Sequence, residues 1–254
     1  MHRSIALGVL AIAALPLAAS AADAPQPRVL RSLVYDVTYA AHTAHQMKTS
    51  GLNGAYGGMS GEGPGVSGSG TAGVGLDGSD SGQLTIDVVA ATNDGGLVVD
   101  AAYNGKLHNQ PKMRVAVFPD GRLSADPGKS LGPEALHLLP LLARGFVANR
   151  AIEPGASWTV NAPAPARGTT TFRVSSLNGP TATIALEGSL TVSGVGGFDE
   201  SDQGTTTYAT DLLSPIAYDL SARIHRQLSV EESTTTTLHM VATLVSDTFA
   251  KKAG

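Results

Sequence analysis

The sequence predicts a mainly β protein: a single antiparallel, strongly curved sheet or half-barrel of about eleven strands, with one kinked central helix packed against it. Short segments that alternate apolar and polar residues recur along most of the chain, the period-two signature of half-buried strands. Turn formers such as Asn93-Asp94-Gly95-Gly96, Pro119-Asp120-Gly121 and Asn178-Gly179-Pro180 separate those segments, as hairpins require. Between the two strand-rich halves, only the stretch Gly132 to Trp158 carries apolar residues at helical spacing.

Residues 1–21 read as a secretory signal. His2 and Arg3 give a basic start, Ile5 to Leu17 an apolar run, and Ala19-Ser20-Ala21 a small-residue cleavage site. The apolar run is short for a membrane-spanning helix, so cleavage after Ala21 and a periplasmic or secreted location are expected. Residues 22–31 follow as a proline-rich leader. Residues 32–250 read as one β-rich domain with its helix near 133–148. No later apolar stretch suits a spanning helix, so the chain is not expected to cross a membrane once the signal is removed. An outer-membrane barrel would want aromatic girdles, whereas aromatics make up 5% of this chain.

Leu33 to Ala41 alternates, with Leu33, Tyr35, Val37 and Tyr39 on one face. Gly51 to Gly82 is rich in glycine and serine. Its early part to Pro64 reads as loop, and Val66 to Leu76 as a strand of small residues that lets another element lie close. The glycines from Gly63 to Gly78 match G-x-G-x-x-G, but no strand precedes them and no helix follows, so a dinucleotide turn is not expected. Leu84 to Ala90, Leu97 to Tyr103 and Met113 to Phe118 are further strands, and a short one follows before Ser130.

The central segment begins with Pro133, suited to the first helical position, and Glu134, which complements the positive helix end. Leu136, Leu139, Ala143, Phe146 and Val147 form one apolar face, and Leu138, Leu141 and Leu142 widen it, so cover is needed on several sides. Pro140 is expected to kink or split the helix. Pro154-Gly155 reads as a tight turn, and Trp158 opens the next strand.

The second half reads as strands at Thr169 to Ser175, Thr181 to Leu186, Leu190 to Val195, Thr205 to Leu213, Ala217 to Ile224 and Thr234 to Val245. Glu187-Gly188 is taken as a break, and Gly194 to Gly204 as a polar loop. Three threonine runs, after Gly168, Gly204 and Ser233, each read as a strand start, without a fixed repeat period.

The formal net charge of −4 offers no basic surface for nucleic acid. The absence of cysteine excludes disulfides, thiolate catalysis and a lipidated N-terminal cysteine. His42 and His45 would face opposite sides of a strand and lack a third ligand nearby, so no metal site is expected. Glu134 and His137 share the spacing of a di-iron motif, but a single helix cannot complete one, and they read as a polar edge of the helix. No nucleophile-elbow, zinc-protease or Walker motif occurs, and no cofactor is expected. Asp199, Glu200 and Asp202 read as a solvated loop cluster without calcium-loop spacing.

The motif Leu139-Pro140 followed by Pro154-Gly155-Ala156-Ser157-Trp158, set between two β-rich halves behind a signal, resembles a group of exported β-rich bacterial proteins. In outline it is similar to the LolA-like lipoprotein-carrier superfamily, in which an open antiparallel half-barrel wraps an apolar cavity plugged by helices. The present chain has one kinked helix where the carriers have several. The resemblance implies carriage of a lipid or acyl chain.

The functional expectation is therefore an exported envelope protein that binds an apolar ligand or acyl chain in its curved sheet, with Leu139, Leu142, Phe146 and Trp158 as candidate ligand-binding residues. The alternative is a structural or protein-interaction module of the envelope whose partner is another envelope protein. A hydrolase with a dispersed site ranks third, because triads are spatial and leave no fixed spacing.

Overall fold

A computed structural model describes residues 28–48, 71–125, 131–147, 150–162, 166–194, 197–229 and 232–249. The signal segment 1–21, most of the leader and the glycine-rich loop up to Pro64 lie outside the described residues.

The first half of the chain forms β1 (Arg31–Lys48), β2 (Thr71–Ala91), β3 (Leu97–Gly105), β4 (Asn109–Val117) and β5 (Leu123–Ala125). A helical segment follows: α1 (Pro133–Leu138), then 3-10 turns at Leu139–Leu142 and Arg144–Phe146. The second half forms β6 (Ser157–Asn161), β7 (Arg167–Asn178), β8 (Thr181–Val192), β9 (Phe198–Ala209), β10 (Ser214–Gln227) and β11 (Glu232–Asp247). All eleven strands join one open antiparallel sheet in the order β5-β4-β3-β2-β1-β11-β10-β9-β8-β7-β6.

Each half is a meander of hairpins, and the halves are welded where β1 pairs with β11, Val37 opposite Ala242 and Ala41 opposite Leu238. That weld leaves β5 and β6, neighbours in the chain, as the two outer strands of the sheet. The helical segment between them crosses from one edge to the other. On the β5 side, Gly145 N–H donates to the Pro119 carbonyl at 2.9 Å, and Gly132 N–H donates to Gln110 Oε1 at 2.8 Å. On the β6 side, Phe146 packs edge-on against Trp158 and Phe172. Gly145 is required here: a Cβ would sit 2.1 Å from the Pro119 oxygen.

The helix is split where Pro140 was expected to break it. Proline has no N–H to donate, and its ring collides with the carbonyl four residues earlier. α1 accordingly stops after six residues, and the chain tightens into Leu139–Leu142. Leu138 and Leu139 are fully buried, a contribution of about 1.5–3 kcal/mol each.

Several expectations change. Leu136 is 47% exposed and does not belong to the apolar face, because the short α1 turns that position to solvent. Glu134 is no polar edge: it is fully buried. Of the expected strand Val66 to Leu76, residues 66–70 lie outside the described residues, and the rest is not separate from Leu84 to Ala90, since β2 runs unbroken from Thr71 to Ala91. At Gly82 a Cβ would meet the Asn104 carbonyl at 2.2 Å, so β3 does approach that strand closely. Glu187-Gly188 is no break, and β8 continues to Val192 with Gly188 inside it. The expected polar loop 194–204 is largely strand, because β9 starts at Phe198, and the run after Gly204 therefore lies mid-strand.

Candidate functional site

Inward-facing residues form rows across the sheet, because paired residues share a face. One row runs Asp80–Tyr39–Met240–Leu220–Gly204–Leu186–Phe172–Trp158 through seven strand pairs. The next row runs Ala41–Leu238–Ala222–Asp202–Gly188–Thr170–Val160. The helical segment lies over the apolar part of these rows, with the Leu139–Leu142 turn against β10 and β4.

Of the four residues singled out in the sequence, two meet. Phe146 lies 5.6 Å from Trp158 between ring centroids, and its ring also meets Phe172 at 5.0 Å and Tyr208 at 5.1 Å. Trp158 stacks on Phe172 at 5.5 Å. Leu139 and Leu142 are buried in the same core without forming part of that aromatic cluster.

Beside the aromatic cluster the gap between the sheet edges forms a cleft of about 390 Å³. One wall is the helical segment, through Pro140, Leu141 and Phe146; the other is the inner face of β6 to β8, through Val160, Phe172 and Leu190. Asp120, Arg122, Arg150 and Asp202 bring charge to it. The volume falls within the range of small-ligand sites, and the mix of apolar walls with a few polar groups is typical of them. A wider depression of about 840 Å³ is lined by exposed polar side chains of the sheet, among them His42, Asp77, Glu187 and His239, together with the smaller apolar groups Ala41 and Ala222 and the single large one, Leu238. With one large apolar side chain against the four of the cleft, Leu141, Phe146, Phe172 and Leu190, it is the weaker candidate.

Arg150 is half-buried and fixed. Its Nε and Nη2 donate to the Gly145 carbonyl at 3.3 and 3.2 Å, and its guanidinium lies over the Trp158 ring at 5.0 Å. Among the described residues it has no carboxylate partner. Burial lowers its pKa, though an arginine stays charged. Arg122, in contrast, is matched by Asp120 at 2.7 Å. The indole Nε1–H of Trp158 is buried and has no acceptor among the described residues.

Asp202 faces inward beside Glu200, two residues away on the same side of β9. Burial, reinforced by the Asp202 charge and a hydrogen bond to it, pushes the Glu200 carboxyl up to about 7. Burial also raises Asp202, against the opposing influence of His137. Burial thus raises both carboxyls of the pair above the ordinary carboxylate range. Burial holds the His137 imidazole below its usual value, so it is uncharged near neutral pH despite Asp202. Glu134 carries two carboxylate oxygens with no partner among the described residues, and burial raises its pKa.

Sequence reasoning missed Glu200, Asp202, Arg150 and Phe172 as lining or neighbouring residues of the cavity. For the acid pair a signal existed: Phe198, Glu200, Asp202, Gly204, Thr206 and Tyr208 alternate strictly with exposed or half-exposed positions. Acidic residues and glycine within that run masked it as a loop. Arg150 carried no such signal, because its role comes from contacts with Gly145 and Trp158.

His42 and His45 stand on opposite faces of β1; His42 pairs with Asp77 and His45 with Glu232. Among the described residues no group of three or more histidine and carboxylate side chains is placed to hold a metal ion. No helix among them is long and apolar enough to cross a membrane.

Fold and cavity together define an open antiparallel β half-barrel with a broken helical plug bridging its two edges. Neither the protein-family models nor the curated proteins give a match to this chain.

Proposed function

We propose that this protein is an exported envelope protein that binds an apolar ligand or acyl chain in the cleft between its helical plug and β6 to β8. The observation that carries this reading is the cleft of about 390 Å³ walled by Pro140, Leu141, Phe146, Val160, Phe172 and Leu190. Apolar walls gain from covering an apolar chain, at about 25 cal/mol per Å² removed from water. Phe146 lines the cleft directly, and Trp158 supports it by stacking on Phe172. Leu139 and Leu142 act behind it, as the packing that fixes the plug. Export and a periplasmic or secreted location rest on the N-terminal sequence, Met1 to Ala21.

The test is native mass spectrometry of the purified protein, followed by delipidation and titration with a fluorescent fatty acid. Binding should be blocked by Val160→Trp, which fills the cleft from the sheet side. Protein that carries no lipid and binds no fatty-acid probe would remove this reading.

A second reading, an envelope interaction module, is favoured by one observation. Val29, Leu30, Leu213 and Phe249 are all more than 40% exposed, and they flank the contact of Arg31 with Ser214 and Asp247 at one end of the sheet. Crosslinking in envelope extract, with Leu30→Ser/Phe249→Ser as control, checks it. Loss of a reproducible partner in the control supports it, and absence of any partner in the wild type counts against it.

A further inference from the structure

We propose that the ligand of this cleft is an anionic amphiphile, an acyl chain ending in a carboxylate or a phosphate, and that Arg150 holds its head. The inference rests on the cleft reading above and adds the charge of the ligand and the residue that reads it.

The charge inventory of the cleft carries it. Four charged residues line the cavity: Asp120, Arg122, Arg150 and Asp202. Asp120 and Arg122 satisfy each other at the rim. Asp202 lies beside Glu200 on the same face of β9, and burial raises both carboxyls, which reduces the negative charge this pair brings to the cleft. Arg150 is left as a half-buried cation whose contacts are a neutral carbonyl and an aromatic face. A guanidinium cannot shed its proton to escape partial burial, so an anion is the partner that recovers the lost hydration.

The geometry is also prepared for one. The Gly145 carbonyl and the Trp158 ring hold the guanidinium in one orientation, so little side-chain freedom remains to be lost on binding. A guanidinium fork matches carboxylate and phosphate oxygens alike, so both head groups fall under the same recognition. Phe146, Phe172 and Leu190 then offer apolar surface for the chain attached to the head.

The experiment titrates the full chain, wild type, Arg150→Gln and Arg150→Lys, with dodecanoate, dodecyl phosphate, dodecanol and dodecylamine. For the wild type, at least one of the two anions should bind tenfold or more tighter than dodecanol, and dodecylamine no better than dodecanol. Which anion binds tighter distinguishes a fatty-acid head from a phosphate head. Arg150→Gln should bring the anions down to the affinity the same variant shows for dodecanol, and Arg150→Lys should retain part of the preference. Equal binding of anion and alcohol in the wild type, or an anion preference that survives in Arg150→Gln, overturns the proposal while leaving the cleft reading intact. Failure of all four probes removes both. If Arg150→Gln does not fold, the salt dependence of the wild type decides: anion affinity must weaken as salt rises while dodecanol affinity does not, and parallel behaviour overturns the proposal.

Discussion

Arg31, the first residue of β1, and Asp247, the last of β11, form a buried bidentate ion pair across 216 residues of sequence, with Nε donating to Oδ1 at 3.1 Å and Nη2 to Oδ2. Ser214 Oγ accepts a second bond from Nη2 at 3.0 Å, and the Phe249 N–H donates to Asp247 Oδ1 at 2.9 Å. The pair closes the end of the seam between the two halves of the sheet.

Asp247→Ala leaves the Arg31 guanidinium buried without its counter-ion. The expected cost is about 3–5 kcal/mol in urea denaturation. Replacing both residues by apolar side chains should cost less than the single change, because no unpaired charge then remains.

Leu139 and Leu136 lie one helical turn apart on opposite sides of the burial divide. Leu139→Ala should cost about 2–5 kcal/mol, the range for a fully buried leucine. Leu136→Ala should stay within about 0.5 kcal/mol. Denaturation of the two variants side by side checks the orientation of the plug.

Glu200 carries a pH dependence with a defined sign. Its folded-state pKa, about 7, lies above the ordinary carboxylate value, so the stability linked to its protonation is fully present below that ordinary value and lost as pH rises through 7. His137 and Tyr218 interact with the Glu200–Asp202 pair, and the lowered His137 pKa works the other way, losing stability as pH falls. The difference between Glu200→Gln and wild type isolates the one group. The variant should gain stability relative to wild type at pH 8 and match it near pH 4, read by thermal melts in matched buffers.

Asp80 organises the β3–β4 turn from the neighbouring strand. Its carboxylate accepts the backbone N–H groups of Ser81, Lys106, Leu107 and His108, and the His108 ring lies 2.8 Å away. Burial works to raise its pKa, but those backbone donors and the ring outweigh it and bring it down to about 2. Its contribution is therefore present above the ordinary carboxylate range and lost as pH falls towards 2. Asp80→Ala should speed amide exchange at Lys106, Leu107 and His108 and lower the melting temperature, with the gap to wild type closing in acid.

The strands and turns were legible because their signals are local. Alternation at Leu33, Tyr35 and Val37, free φ at Gly95 and Gly121, and the missing N–H of Pro140 act within a few residues, and each produced the expected element. The apolar plug between two β-rich halves was legible for the same reason. Glu134 and the Glu200–Asp202 pair were misread because polar residues usually face water, and nothing local says that a second layer will cover them.

By itself, then, the sequence determined a mainly β chain, most of its turns and a broken helical segment at its centre, since steric and hydrogen-bond rules over neighbouring residues decide those. Only the tertiary structure decided that β1 pairs with β11, that β5 and β6 become the outer strands, and that the plug bridges them. The pairing of Leu33 with Asp247 depends on contacts more than 200 residues apart, which no local periodicity encodes. The cleft likewise arises between segments distant in sequence, the plug on one side and β6 to β8 on the other.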